Sequence, residues 1–594
     1  MKIFEKIKTL FTHDELFRIG VLFLGMLVMS FLEVLGVASI APFMGVVTNP
    51  AVIHDNQYLS FIYQYFDFTN DKAFIMVTGA MVIFVLVISN GFNAFMMWKM
   101  TTFSKMHGHM LSMRLLSTYL NQSYSFFLGR NTADLGKNIL TEVTRCVDGA
   151  IFPALNALSK IIVSIFLIGF LLFLDVTLAL VVSIVLGGSY LLTYKLVRRN
   201  LDVIGLNSTN AVLNRFKVAN EALSGIKDIK LRGNENKFLQ YFSIHSENDA
   251  KYNAQSLLIS TLPRYALETI SFSGIILIII YFISNDTKTE QLIPLLSLYA
   301  LAGFRLLPAV QQIYGGLSQV KYNLPALLLL IKDLKLYKSE SEYTDTSPGS
   351  LAFEDKIELK SIDYSYPNTD VKILNKFNLT VACNTTVGLV GTTGSGKTTV
   401  VDIILGLLDP DSGGVLIDDV EITPETLPQW RIRLGYVPQS VYLIDDTIES
   451  NIAFGLLEGE LDFAKVQEAA KLAELDDFIM SLPMQYKTMV GERGVRLSGG
   501  QLQRIGIARA LYYNPTVLIM DEATSSLDGN TEDVIMEAIH NLGHKITIIM
   551  IAHRLSTLKE CDVIHILKNG VIHESGNYEA LFKSNDEFRK LADK

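Results

Sequence analysis

The sequence predicts an α-helical membrane domain of six spans followed by a soluble α/β domain. Three observations predict it. Six apolar runs lie in the first half, at about 19–47, 73–98, 152–174, 176–195, 265–284 and 292–315, each near the roughly 20 residues that cross a bilayer as a helix. Beyond residue 350 the pattern changes to short β-branched strands alternating with helices: IELKSIDYSY, TTVGLV, GVLID, TVLIMDE and KITIIMIAH. The chain of 594 residues is also 49% hydrophobic with mean hydropathy +0.32, high for a soluble protein of this size.

In chain order, the start MKIFEKIKTLFTHDELFR is mixed-charge and amphipathic. It reads as a helix lying on the membrane surface rather than as a cleavable signal peptide. The third and fourth spans form one block turned at Asp175. Lysine and arginine crowd the stretches 99–150 and 195–260, are absent from 48–71, and are represented only by Lys288 in 285–291. That bias puts the second and fourth connections and both termini in the cytoplasm. Those two connections keep helical spacing, as in ANEALSGIKDIKLRGNENKFLQYF. They are either small soluble insertions or membrane helices continuing past the bilayer. The external stretch 49–71 crowds Tyr58, Leu59, Phe61, Ile62, Tyr63, Tyr65 and Phe66. It is either an aromatic belt or a short helix in the outer headgroup layer. YKSESEYTDTSPGS is a linker, so the expected domains are 1–336 in the membrane, 337–350 as linker and 351–594 in solution. A net charge of −9 argues against nucleic acid as partner. The three cysteines, Cys146, Cys383 and Cys561, have no metal spacing and read as small buried hydrophobes in a reducing compartment.

The soluble half carries the chemistry. GLVGTTGSGKTT runs from an apolar strand into a helix, the context a phosphate-binding loop requires. Gly391, Thr392, Thr393, Gly394, Ser395 and Gly396 wrap the phosphates with backbone N–H groups, with Lys397 reaching the β- and γ-phosphates of ATP. Thr398 offers a hydroxyl to Mg²⁺, and Thr399 closes the motif. TVLIMDE ends a buried strand in two acids: Asp521 fits a Mg²⁺-organising carboxylate and Glu522 the base that polarises the attacking water. LSGGQ places Ser498, Gly499, Gly500 and Gln501 at the start of the helix QLQRIGIARALY, a second anion site. A domain with one phosphate loop can use a second only if it faces another nucleotide.

The order GTTGSGKTT, LSGGQ, LIMDEATSSLD, IIMIAHR resembles the nucleotide-binding domain of ATP-binding cassette (ABC) transporters, across essentially all of 351–594. With the membrane half, the chain resembles an ABC exporter half-transporter of type I architecture. The resemblance implies further roles. Tyr366 in DYSYP matches the aromatic that stacks on adenine, ahead of Tyr364. Gln439 in YVPQS matches the loop glutamine that touches Mg²⁺ and faces the coupling helices, expected near 122–132 and 222–235. Asp528 matches the loop bridging two such domains, and His553 the histidine that senses the γ-phosphate. Ser498 and Gly500 would meet ATP bound by a partner subunit. Leu502 and Ser526 depart from the usual residues without removing a catalytic group. With Glu522 and LSGGQ both intact, a homodimer would hold two competent sites.

Polar residues inside spans are site candidates. Glu33 lies in the first span, Arg264 and Glu268 near the start of the fifth, and Arg305 and Gln312 on one face of the sixth. Two readings stand. Arg264 can pair with Glu268 at i,i+4, and Glu33 with Arg305 between helices. Alternatively an arginine faces a water-filled cavity and grips phosphate bidentately. FLEVLGVASIAPFM, LPRYALETI and YALAGFRLLPAV are similar to bacterial lipid-linked oligosaccharide flippases. That resemblance implies a polyprenyl-pyrophosphate glycan as cargo, with Arg305, Arg264 and Glu33 at its site and the bacterial inner membrane as location. The rivals are exporters of lipid A core, and of peptides or drugs.

Overall fold

The computed structural model describes residues 10–589 apart from 175, 267, 270, 271, 274, 275, 277–279, 281–288, 337–350, 368, 370, 458, 524–533, 535–545, 552–557, 560, 586 and 587. The chain divides into two units. One comprises 1–122 and 130–339; the other comprises 340–594 together with Ser123–Gly129.

The first unit is helical. α1 (His13–Thr48) begins at a capping box, in which Thr12 and Glu15 satisfy each other's backbone N–H. Asn56 caps α2 (Gln57–Tyr65) through the N–H groups of Tyr58 and Leu59. The aromatic stretch is thus helical over Gln57–Tyr65. Leu59 and Tyr63 pack on Val46, Ile53 and Phe74, while Tyr58, Phe61 and Tyr65 point outward. α3 (Asp71–Leu120) runs far beyond a bilayer's thickness, and the five-residue α4 (Tyr124–Leu128) after it belongs to the second unit. Two π turns, Asn138–Glu142 and Val147–Ile151, interrupt α5 (Thr132–Phe173). α6 (Val176–Ser224), α7 (Ile226–Arg232), α8 (Glu235–Thr261) and α9 (Thr289–Leu334) follow, and the described residues between α8 and α9 are largely helical too. The polar connections are therefore helices that continue out of the spans, with Gly233 in the left-handed region (φ +61°) closing α7. Among the described residues α1, α3 and α5 are long and apolar enough to cross a membrane. The turn at Asp175 and most of the fifth run lie outside the described residues.

Several carboxylates buried in this unit are matched by donors from other parts of it. Glu142, with its carboxyl fully buried, lies 3.3 Å from Lys137 Nζ and 3.4 Å from Arg145 Nη1. Asp249 accepts from Arg215 (2.9 Å), Ser208 (3.1 Å) and Asn253 (3.1 Å). Asp333 accepts from Tyr119 (2.6 Å) and Asn138 (2.9 Å). Buried charges persist in folded chains only when paired in this way.

Among its described residues the second unit holds two sheets. β1 (Lys356–Ser365) and β2 (Lys372–Ala382) join β4 (Ser412–Ile417) and β5 (Val420–Glu421) in an antiparallel sheet ordered β2-β1-β4-β5. β3 (Thr386–Gly391), β6 (Leu434–Val437), β7 (Val517–Asp521), β8 (Thr547–Ile551), β9 (Val563–Lys568) and β10 (Val571–Gly576) form the other, ordered β10-β9-β3-β8-β7-β6. Only β10 is antiparallel there. β7 and β8 are buried at every residue, as their unbroken apolar runs require of strands covered on both faces. α10 (Lys397–Ile404) follows β3, and α11 (Gly499–Leu511) precedes β7.

Candidate functional site

The site forms where parallel strands end, the usual crevice of open α/β sheets. β3 delivers the chain into the loop before α10. Gly396 caps α10 at φ +104° and Gly394 sits at φ +82°, a region only glycine enters freely. A Cβ on Gly391 would come within 2.4 Å of the Leu567 carbonyl oxygen and 2.6 Å of Ser395 Oγ. Ser395 is buried, and its Oγ has no hydrogen-bond partner among the described residues. Lys397, also buried, turns its ammonium back onto the carbonyls of Gly391 (2.8 Å) and Thr392 (3.2 Å). Burial draws Lys397 below the usual lysine range, while the charges of Glu522 and Asp521 oppose that shift. A close-fitting loop, an unpartnered hydroxyl and a lysine held only by carbonyls fit a polyphosphate. Thr392 and Thr393 are exposed on the loop, Thr398 is exposed in the first turn of α10, and Thr399 beside it is buried.

Two strands along the sheet from β3, beyond β8, β7 carries Asp521, buried, and then Glu522 at φ +51°. That backbone conformation is strained for a residue with a side chain. Gln439 Nε2 donates to Glu522 Oε2 at 2.6 Å, joining two residues that lie 83 apart in the chain. Thr398, Asp521 and Gln439 are the side chains that would hold Mg²⁺. One carboxylate and a hydroxyl suit an ion that takes its remaining oxygens from phosphate and water, and the chemistry it would supply there is neutralisation of phosphate charge.

Tyr366 Oη lies 3.1 Å from Thr399 Oγ1, and its ring meets that of Tyr364 edge-on at 5.3 Å. Tyr364 is buried in the core and Tyr366 is partly exposed, so Tyr366 is the ring open to a base. Burial, with the fields of Asp402 and Tyr366, pushes the phenol of Tyr124 up. Ser498 caps α11 in a box with Gln501: Gln501 N–H donates to Ser498 Oγ at 3.3 Å, and Ser498 N–H to Gln501 Oε1 at 2.8 Å. Ser498 and Gly499 are exposed and Gly500 half-buried. Asp528 and His553 lie outside the described residues.

Asp402, on the inner face of α10, carries no motif that marks it in the sequence. Burial, reinforced by Asp521, raises its carboxyl from 3.8 to about 6. The folded protein therefore binds this proton more tightly than the unfolded chain does. Stability from it is full below pH 3.8 and is lost as pH rises through about 6. Asp402→Asn is expected to raise the thermal midpoint of the nucleotide-free protein at pH 8 by the equivalent of up to about 3 kcal/mol, and to give no gain near pH 4. Thermal unfolding at the two pH values checks this; equal shifts at both would remove the ionisation as the cause.

In the membrane unit, Arg305 Nη1 lies 3.4 Å from Glu33 Oε1. Glu33 is buried, and its second oxygen has no hydrogen-bond partner among the described residues. Arg264 is paired with Glu268. Asn156 Nδ2 donates to Gln312 Oε1 at 3.3 Å. The reading by residue type missed Lys160, although a lone lysine within the apolar run 152–174 is the signal that singles out Arg305.

A P-loop nucleotide site in a parallel sheet, on a chain whose other half is long apolar helices, defines a membrane-bound nucleotide-driven machine. Two family models agree: "ABC transporter" over residues 374–525 and "ABC transporter transmembrane region" over 19–305. An ATP-dependent lipid A-core flippase of Saccharophagus degradans is 32% identical over 489 residues, 81% of this chain and 80% of that one. The heterocyst differentiation ATP-binding protein HepA of a Nostoc species is 35% identical over 65% of this chain and 62% of its own. A bacterial Atm1-family ABC exporter solved with ATP bound superposes with a TM-score of 0.77 at 24% identity, over 96% of this chain and 97% of that one, which shows the fold. The chain belongs to the ABC transporter family. It is a multi-pass exporter half-transporter with the type I fold, and it couples ATP hydrolysis to transport.

Proposed function

We propose that the protein is a homodimeric flippase that moves a polyprenyl-pyrophosphate-linked oligosaccharide across the inner membrane of a bacterium, with both termini cytoplasmic. The observation that carries the cargo reading is Arg305, a half-buried guanidinium in the sixth span beside the buried Glu33. Such a cation is costly in a membrane and suits a phosphate head. Lipid A core is the second reading, favoured by relatives in Saccharophagus degradans and Aromatoleum aromaticum that are named for it. Both cargoes are phosphate-bearing lipids.

In the cycle we propose, ATP lies between the P-loop of one chain and Ser498–Gln501 of its partner. Lys397 and the loop N–H groups hold the phosphates, Tyr366 the base, and Glu522 takes the proton of the attacking water. The family resemblance would add Asp528 and His553 to these groups and would make α4 and α7 the coupling helices.

Translocation of a fluorescent polyprenyl-pyrophosphate glycan in proteoliposomes tests the cargo. Flipping by the wild type is expected to need ATP and to fall more than about tenfold in Arg305→Gln. Because Glu33 is left uncompensated in that variant, Arg305→Gln with Glu33→Gln is the decisive one. If Arg305 holds cargo, the double variant stays inactive although the pair's charge imbalance is relieved. Recovery of flipping in the double variant would make the arginine structural. Wild type that hydrolyses ATP and flips lipid A but not the glycan would move the assignment to the second reading.

A further inference from the structure

We propose that Lys160 is a second cationic anchor for the phosphate of the transported lipid, standing beside the Arg305–Glu33 pair on the α5–α9 face. The proposal rests on the reading of the cargo as a phosphate-bearing lipid.

Lys160 lies in FPALNALSKIIVSIFLIGFLLFL of α5 and is half-buried. Among the described residues no carboxylate pairs with it and no hydrogen bond holds it. Its place follows from the register of α5 against α9. Asn323 Nδ2 donates to the Gly149 carbonyl at 3.2 Å. A Cβ on Gly316 would come within 2.7 Å of the Pro153 oxygen and 3.0 Å of Ala157 Cβ. Asn156 then meets Gln312 at 3.3 Å. The helices therefore run antiparallel in close contact. Continued by one turn, that register brings Lys160 level with Pro308; continued by two, it brings Ser164 level with Arg305. Lys160 and Asn156 are i,i+4 and share a face, so Lys160 and Arg305 are offset by about one helical turn, roughly 5 Å.

The charges along this strip are unequal. Glu33 matches Arg305, while Lys160 has no acid opposite it among the described residues. One net positive charge therefore remains within an apolar helix, and an anion relieves it. Ser164, one turn further along the same face, is buried with its Oγ unpartnered among the described residues, and so offers a hydroxyl donor to the same ligand. The ammonium is a point charge that accepts phosphate from any direction, whereas the guanidinium orients it. The competing role for Lys160 is to snorkel to the headgroups, with no ligand at all.

The test uses the full chain in lipid nanodiscs. ATPase stimulation is titrated with glycan-free polyprenyl pyrophosphate, with neutral polyprenol and with lipid A, for wild type, Lys160→Gln, Lys160→Met and Lys160→Arg. The half-stimulating concentration of polyprenyl pyrophosphate is expected to rise about tenfold in Lys160→Gln and Lys160→Met and to stay near wild type in Lys160→Arg. Unstimulated ATPase should be unchanged in all three. Lys160→Met keeps the length and packing of the stem, so it decides the matter if the glutamine variant fails to fold. Identical curves for wild type and Lys160→Met overturn the anchor and leave the cargo reading in place. Stimulation by lipid A alone, shifted by Lys160→Met, supports the anchor and overturns the polyprenyl-pyrophosphate reading. A wild type that answers to no anionic lipid, or equally to polyprenol, overturns the anchor.

Discussion

Glu522→Gln is expected to slow ATP turnover by about 10²–10⁴-fold, the usual contribution of a positioned general base, and to leave nucleotide binding near wild type. Glu522 follows the last residue of a fully buried strand and sits in the left-handed region at φ +51°. Its backbone N–H is tied to the Ile551 carbonyl of the neighbouring strand at 3.0 Å. The carboxylate is thus aimed by the sheet rather than by its own rotamer preferences. The amide of glutamine is nearly isosteric, so the strand end and the contact with Gln439, 2.6 Å in the parent, can persist after a rotation of either amide. What the substitution removes is the capacity to take a proton. Single-turnover hydrolysis, measured beside equilibrium ATP binding, separates the two. If turnover stays above a tenth of wild type, Glu522 is not the base. A parallel loss of binding would instead mean that the strained turn has collapsed.

The second large effect lies far from any nucleotide. Glu142→Ala is expected to destabilise the membrane unit by about 3–5 kcal/mol, the cost of breaking a buried ion pair from one side. The Glu142 carboxyl is fully buried, between Lys137 at 3.3 Å and Arg145 at 3.4 Å, with Lys137 itself only 3% exposed. Removing the acid leaves an ammonium in a dry site within α5, where two π turns already loosen the helix. Arg145 suffers less, because it also reaches Ser208 and Thr209 at 3.5 Å. A paired replacement, Glu142→Leu with Lys137→Met, is expected to recover most of the loss, since apolar groups of similar volume carry no desolvation cost. Thermal unfolding in detergent of the two single variants and the double gives the coupling directly. Additive losses in the double variant would show that the pair does not act as a unit.

Much of the nucleotide half was legible because its chemistry is local in the chain. The P-loop glycines, Lys397 and Thr398 fall within ten residues, and a strand followed by a helix is itself a short-range pattern. Asp521 and Glu522 were readable from the buried run before them. Less legible was what these groups touch. The contact between Gln439 and Glu522 joins distant segments, and the buried Asp402 looks in sequence like any acid on a helix. Polar residues in the connections misled in another way. Glu142, Lys137, Asp249 and Asp333 lie in stretches rich in charge, where solvent is the default expectation, yet all are buried. The long helices pack against one another beyond the spans, and only that packing removes them from water. Lys160 was passed over for the opposite reason: it is one residue in a strongly apolar run.

The sequence by itself determined the two halves, the phosphate loop and its acids, and the presence of charge inside the spans, because each rests on residue type and spacing along one segment. Only the tertiary structure decided which of those charges are cancelled. Arg305 meets Glu33 across 272 residues of chain, Arg264 meets Glu268 one turn away, and Lys160 meets no acid among the described residues. It also decided that Ser123–Gly129 belongs with the nucleotide-binding unit. A charge in a membrane is settled by its partner, and a partner brought from another helix is a property of the fold rather than of the local sequence.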